Sequence, residues 1–417
     1  MYREGRFITF LSIFTLAATA AFAQIDPKIE LGSIAWLTYG NSEGDRSPLQ
    51  QNGGDGTFLN KWTILLGAQI NEKVSLYADV EVRNGVDFVI WGLSATYRVE
   101  PAGRFNIELG KFLAPVGIFL NRKWPTENPL QDWPLLYDYR TAVSASRLAR
   151  SQSDILRVRG QGQNLDYVGP TSSSGVAQNK LLAQQQPATQ PPGLRILSRQ
   201  VYLTGAQIFG AVPKFRYHVG VTNGALSNPT DVNNSASVQL IGRLVYSPLF
   251  GLELGTSFAS GAYLNRNEVG AELTAQGQSA NDFRQNTIGG DLAYSVGHLV
   301  LFSEIFYNSW ETPGFDENLD AVAFDVEVKY SFLPRFFAAA RFSRIDFQEI
   351  SDPEDVDGDG DLREPWDYDV DQLEVGVGYH FNRNGLLKIM RVMNNTHDIP
   401  GGDPSDDLVN LQFVVSF

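Results

Sequence analysis

The sequence predicts an all-β fold: a transmembrane antiparallel β-barrel of about sixteen strands, with eighteen as the alternative count. Three observations predict it. Apolar and polar residues alternate through most of the 417 residues. The links between alternating runs are short and long by turns. The chain also ends inside such a run, Leu-Val-Asn-Leu-Gln-Phe-Val-Val-Ser-Phe, residues 408–417. There Leu411, Phe413, Val415 and Phe417 share one face, opposite Asn410, Gln412 and Ser416. An apolar row of that kind needs a cover, and lipid supplies one.

The first residues set the compartment. Arg3 and Arg6 precede an apolar run, Phe7 to Phe22, which closes on the small-residue site Ala21-Phe22-Ala23. This is the layout of a secretory signal peptide. Residues 1–23 are therefore expected to be removed by cleavage between Ala23 and Gln24, leaving 24–417 as the barrel. After residue 23 no stretch of about 18 apolar residues remains, which excludes a transmembrane helix. The chain has no cysteine, so it holds together without disulfides. Aromatics make up 12% of the residues, glycines number 39, and mean hydropathy is −0.17. Such a chain fits strands joined by polar links better than a helical enzyme.

Individual strands read clearly. Val74, Leu76, Ala78, Val80 and Val82 oppose Asp79, Glu81 and Arg83. Val322 to Phe332 oppose Asp325, Glu327 and Lys329, and Leu373 to Phe381 oppose Glu374 and His380. Short links rich in Pro, Gly and Asn fall at 70–73, 100–103, 210–213, 247–250, 295–297, 333–334 and 382–385. Longer polar links fall near 41–57, 113–197, 225–235, 261–283, 309–319, 349–369 and 394–406, and only the link near 83–87 is brief where a long one is due. Sixteen strands result, from near Glu30 to Phe417. Closure leaves no unpaired edge, which hydrocarbon would penalise by several kcal/mol per group. On this parity the lining includes Asp79, Glu81, Arg83, Glu108, Arg243, Glu304, Glu327, Lys329 and Glu374.

The stretch Gly-Lys-Phe-Leu-Ala-Pro-Val-Gly-Ile-Phe-Leu-Asn-Arg, residues 110–122, with Asn128-Pro129-Leu130 after it, resembles a motif of Gram-negative outer-membrane porins related to the phosphate-selective group. Phe215 to Gly224, ending in Asn-Gly, resembles the returning strand of that motif. The likeness covers about a quarter of the chain, and the insertion 131–197 is longer than the group's pattern. The resemblance implies a water-filled channel for small hydrophilic solutes or ions, an inward-folded third loop and a homotrimer. The ending resembles the terminal strand of outer-membrane proteins generally, which implies that Phe417 signals to the barrel-assembly machinery.

The third surface loop, 113–197, is too long for an idle connection. It holds nine Lys or Arg against five acids, on a chain of net charge −14. Arg140, Arg147, Arg150, Arg157 and Arg159 are thus candidates for a pore constriction that prefers anions. The alternative is that such arginines pair with lumen carboxylates such as Asp79, Glu81, Glu327 and Glu374, bracing the loop. The tract 171–193, with Gln184-Gln185-Gln186 and Pro191-Pro192, is expected from its composition to be mobile or disordered.

Residues 349–371 carry eleven acids and one arginine. Within them Asp355, Asp357, Asp359 and Asp361 match D-x-D-x-D-G, the first half of a calcium loop, with Gly360 at the turn. Trp366 stands where the twelfth ligand belongs. A Ca²⁺ site and a solvated acidic loop both remain open, as does divalent bridging to lipopolysaccharide.

No G-x-S-x-G, no H-E-x-x-H and no cysteine nucleophile is present, so no enzyme is expected. No nucleic-acid partner is expected either. Besides the channel, the other function class is a plugged structural or adhesive barrel acting through calcium-binding surface loops. Either sits in the outer membrane of a Gram-negative cell, among its lipid.

Overall fold

The computed structural model describes residues 27–42, 57–83, 87–160, 193–235, 237–399 and 402–417, with Ser42, Thr57 and Arg83 described in their backbone alone. The predicted cleavage at Ala23 and Gln24 and most of the 171–193 tract lie outside the described residues, as does the side chain of Arg83.

Alternation becomes a closed barrel. The first five strands are β1 (Lys28–Ser42), β2 (Thr57–Gln69), β3 (Val74–Arg83), β4 (Asp87–Arg98) and β5 (Asn106–Leu113). After the long third loop come β6 (Tyr202–Val212), β7 (Phe215–Asn223), β8 (Val238–Leu249) and β9 (Leu252–Ala262). The next four are β10 (Arg284–Val296), β11 (Leu299–Trp310), β12 (Leu319–Leu333) and β13 (Phe336–Phe347). A small hairpin, β14 (Glu349–Ser351) and β15 (Arg363–Pro365), stands apart from the wall. β16 (Val370–His380), β17 (Gly385–Thr396) and β18 (Leu408–Ser416) complete the ring. Each wall strand pairs antiparallel with the next, and β18 closes on β1 with Phe413 opposite Leu37 and Leu411 opposite Tyr39. Sixteen strands form the wall, and no helix among the described residues is long and apolar enough to cross a membrane.

The two faces separate as strand parity requires. On β18, Leu411, Phe413 and Val415 point outward and are about 40% exposed (42%, 43% and 39%), whereas Asn410 and Gln412 point inward and are buried. At the short-turn rim the outward rings of Phe332, Phe336, Tyr379, Phe381 and Phe413 form a chain, each 4.6–6.1 Å from the next. Phe417 is 72% exposed at the end of β18. An apolar outer band edged by aromatics is the surface that a transmembrane barrel presents to lipid.

The lumen departs from the expected polar lining on one side. Ile34, Phe337, Leu386, Met390, Val392 and Val414 form an apolar cluster with Leu130, and Trp124 packs against it. These inward positions on β1, β13, β17 and β18 face a folded loop, so burial rather than hydration selects their side chains.

Candidate functional site: the inward loop and the cavity beside it

The loop enters the barrel at Pro115-Val116-Gly117. Gly117 has φ +60°, a conformation that glycine adopts without penalty. Its amide donates to Ser257 Oγ at 3.2 Å. The next two amides, of Ile118 and Phe119, both donate to Glu304 Oε1 on β11, the second at 2.9 Å. The Tyr137 hydroxyl donates to Glu304 Oε2 at 2.9 Å. A side chain at 117 would collide with that carboxylate. One buried wall residue thus satisfies three loop donors, which burial demands.

Beyond this anchor the loop makes a 3₁₀ turn (Phe119–Arg122) and two short helices, α1 (Leu135–Asp138) and α2 (Gln152–Leu156). Pro134 precedes α1 in an extended conformation, and the Ser151 side chain caps α2 by accepting from the Asp154 amide. Phe119, Leu120, Leu135 and Leu136 pack against Phe306, Ala321, Ala323 and Ile345 of the wall. Full burial of each leucine contributes about 1.5–3 kcal/mol.

Charge ties the same segment down. Arg122 donates to Glu327 at 2.5 Å, and Arg341 on β13 bridges Glu327 (3.0 Å) and Glu374 (2.7 Å). Arg341 also donates to the Asp132 carbonyl at 2.5 Å. Lys388 on β17 spends its ammonium on three loop carbonyls, those of Pro125, Asn128 and Leu130, at 2.9–3.1 Å. Glu327, Arg341 and Glu374 are all fully buried. Sequence reasoning placed Glu304, Glu327 and Glu374 on the lumen face but missed Arg341, Lys388 and Asp291. Strand parity could have found all three, since Arg341 alternates with the outward Phe342 and Lys388 with Ile389.

The opposite half of the lumen keeps space. A cavity of about 370 Å³ lies between the loop and the wall strands β3–β9. Glu108 and Arg243 line it, as sequence parity placed them, together with Lys123 and Trp124 from the loop. Lys123 faces Asp79 at 3.8 Å and donates to Tyr202 Oη at 3.1 Å. Tyr202 donates in turn to Asp79, which is completely buried, as Glu81 nearly is. Lys329 is half-buried, with its ammonium 4.5 Å from the Phe337 ring centre. Toward the short-turn rim, a second cavity of about 450 Å³ is lined by Lys73 and Arg98 and by no carboxylate.

The five predicted constriction arginines sit elsewhere. Arg150 pairs with Glu272 at 3.0 Å on α3 (Arg266–Ala275), the helix of the fifth surface loop. Arg157 pairs with Glu354, and Arg159 with Glu364 (2.8 Å) and Asp357 (3.1 Å). Arg140 donates to the Gly193 carbonyl at 3.3 Å. Arg147 faces a cavity of about 520 Å³ between the loop's outer lobe and α3. The partners of Arg150, Arg157 and Arg159 lie on other surface loops and are not Asp79, Glu81, Glu327 and Glu374, because the loop's inward segment already occupies the midwall. The loop residues that do meet those carboxylates are Arg122 and Lys123.

In the acidic loop, carboxylate oxygens of Asp355, Asp357 and Asp359 lie within 4.8 Å of one another, as do those of Asp359, Asp361 and Glu364. Gly358 and Gly360 take positive φ, 82° and 93°, and turn the chain around them. The donors are all hard oxygens, the set that Ca²⁺ takes. Glu364 was missed by sequence reasoning because it falls outside the alternate-residue motif. Asp367 serves the inward loop instead, accepting from the amides of Ala142 (2.7 Å) and Gly160 (2.9 Å). Burial pushes its carboxyl up to about 6 against those hydrogen bonds.

No family model matches this chain, and no curated protein matches it. Solved structures do match in fold. An anion-selective porin from Comamonas acidovorans is 9% identical with a TM-score of 0.55, covering 94% of this chain and 100% of its own. Salmonella typhi OmpF, in complex with daunomycin, is 11% identical with a TM-score of 0.53, covering 94% and 98%. The outer-membrane channel DcaP of Acinetobacter baumannii is also 11% identical with a TM-score of 0.53, covering 94% and 97%. The fold is thus the closed sixteen-strand barrel found in outer-membrane porins.

Proposed function

We propose that this chain is a porin-type channel that passes small hydrophilic solutes or ions by passive diffusion. It sits in the outer membrane of a Gram-negative cell. The observation that carries the reading is the asymmetric lumen: most of the inward loop's bonds go to the β9–β18 wall, while cavities with polar groups on their lining remain along β3–β9. Conductance of the purified chain in a planar bilayer tests it, and a barrel that passes no current would sink it.

The finer reading is anion preference. Lys73 and Arg98 on one lining and Lys123, Arg216 and Arg243 on the other outnumber Glu108 and Glu253. Cationic linings favour anions. The Gly110–Arg122 motif supports kinship with the phosphate-selective group, since its Pro-x-Gly forms the turn that carries the loop inward. Export behind a cleaved leader, assembly through Phe417, a homotrimer and contact with lipopolysaccharide belong to the same reading, and no catalytic role is assigned.

A second reading has its own support. The loop builds an apolar core inside the barrel, as a plug does, and Asp355, Asp357, Asp359, Asp361 and Glu364 would hold a Ca²⁺ ion at the surface. On this reading the barrel is structural or adhesive, and the same bilayer measurement separates the two.

A further inference from the structure

The mid-lumen cavity has a composition that a path for hydrated inorganic ions does not require. Five aromatic rings line it: Tyr77, Phe112 and His218 of the wall, Tyr202 at the start of β6, and Trp124 of the loop. Lys123 stands between two of them, its Nζ 4.1 Å from the Trp124 ring centre and 4.2 Å from that of Tyr202. Arg243 lines the same space while being only 7% exposed. It spends one terminal nitrogen on Asp291 at 2.6 Å, and its Nε–H meets no acceptor among the described residues. The Arg243 guanidinium therefore brings a positive charge to the lining beside that of Lys123.

The carboxylates on the lining are engaged. Glu253 pairs with Arg216 at 2.7 Å, and Glu108 accepts from Ser94 (2.6 Å) and Gln207 (2.7 Å). The volume, about 370 Å³, falls at the lower end of small-molecule sites. Such sites set apolar side chains beside placed polar groups, and here Phe112, Ile118 and Leu120 line the space beside Lys123, Arg216, Arg243, Glu108 and Glu253.

We propose that this cavity is a subsite for small organic anions that carry a planar ring, aromatic carboxylates being the simplest members. The assignment rests on the channel reading only in treating the cavity as part of a solute's path. The ring lies against Trp124 and Tyr202, and the carboxylate faces Lys123 and the Arg243 guanidinium. Acetate or inorganic phosphate would meet the cations and leave the rings unused.

The test uses the full chain in detergent, titrated calorimetrically with benzoate, acetate and inorganic phosphate. Benzoate is expected to bind roughly tenfold more tightly than acetate, a difference of about 1.4 kcal/mol. Trp124→Leu should bring benzoate down to acetate, and Lys123→Gln should weaken both. Benzoate binding no tighter than acetate, or phosphate binding tightest, overturns the proposal, and the unmodified chain alone gives that answer. Bilayer conductance is recorded in parallel. A barrel that discriminates benzoate but carries no current retires the channel reading and keeps the subsite; a conducting barrel without discrimination does the reverse.

Discussion

Glu304 on the wall and Gly117 in the inward loop approach so closely that any side chain at 117 would strike the carboxylate. That approach lets the Ile118 and Phe119 amides reach Glu304 Oε1. Glu304→Ala leaves three loop donors without their acceptor, at about 1–3 kcal/mol each. Thermal unfolding in detergent should register a loss of at least about 3 kcal/mol, and single-channel conductance should rise as the loop entry loosens. Gly117→Ala should act in the same direction.

Arg341 holds two buried carboxylates at once. Arg341→Ala would strand Glu374 in the lumen wall and leave Glu327 with Arg122 alone, and breaking a buried pair costs about 3–5 kcal/mol. Urea unfolding in lipid vesicles measures this. A change below about 1 kcal/mol would mean that solvent reaches these carboxylates.

The outer arginines give a contrasting expectation. Arg147, Arg150, Arg157 and Arg159, replaced together by Gln, should leave the reversal potential in asymmetric salt where it was. Protease cleavage within 140–160 should accelerate, because the pairs with Glu272, Glu354, Asp357 and Glu364 are lost. A shifted reversal potential would assign selectivity to these arginines after all.

Asp406, in the last surface loop, is buried, and its carboxyl is pushed up to about 7 by that burial and by Asp403 and Asp407 nearby. A carboxyl raised on folding contributes stability that is fully present below its unfolded value near 4. That contribution is lost as pH rises through about 7. Asp406→Asn should therefore raise the melting temperature at pH 8 relative to the parent and change it little at pH 4. Equal effects at both values would place the carboxylate in water.

Calcium should stabilise the acidic loop if Asp355, Asp357 and Asp359 ligate it. With a dissociation constant of about 1 mM, 10 mM Ca²⁺ adds about 1.4 kcal/mol. The melting temperature in Ca²⁺ minus that in chelator reports this, and Asp357→Asn with Asp359→Asn should abolish the difference. Equal stabilisation by sodium at matched ionic strength would leave only a screened acidic loop.

Much of the barrel was legible along the chain. The period-two pattern assigned Leu411, Phe413 and Val415 to lipid and Glu327 and Glu374 to the lumen, and link lengths assigned each rim. Both are local properties, because a strand's two faces and its turns are set by neighbouring residues. The inward apolar positions Phe337, Leu386 and Met390 were not legible, since parity says which way a residue points and not what it meets.

The site was less legible for the same reason. Nothing periodic links Glu304 to amides 186 and 185 residues earlier, or Lys388 to carbonyls about 260 residues before it. The chain by itself determined that a long cationic loop hangs from a closed wall. Only the tertiary structure decided which cations turn inward: Arg122 and Lys123 follow the Gly117 turn directly into the lumen, while Arg150, Arg157 and Arg159 lie on the lobe that meets the surface loops. Their charges are alike, and position in the fold alone separates them, because an ion pair depends on distance in space and not along the sequence.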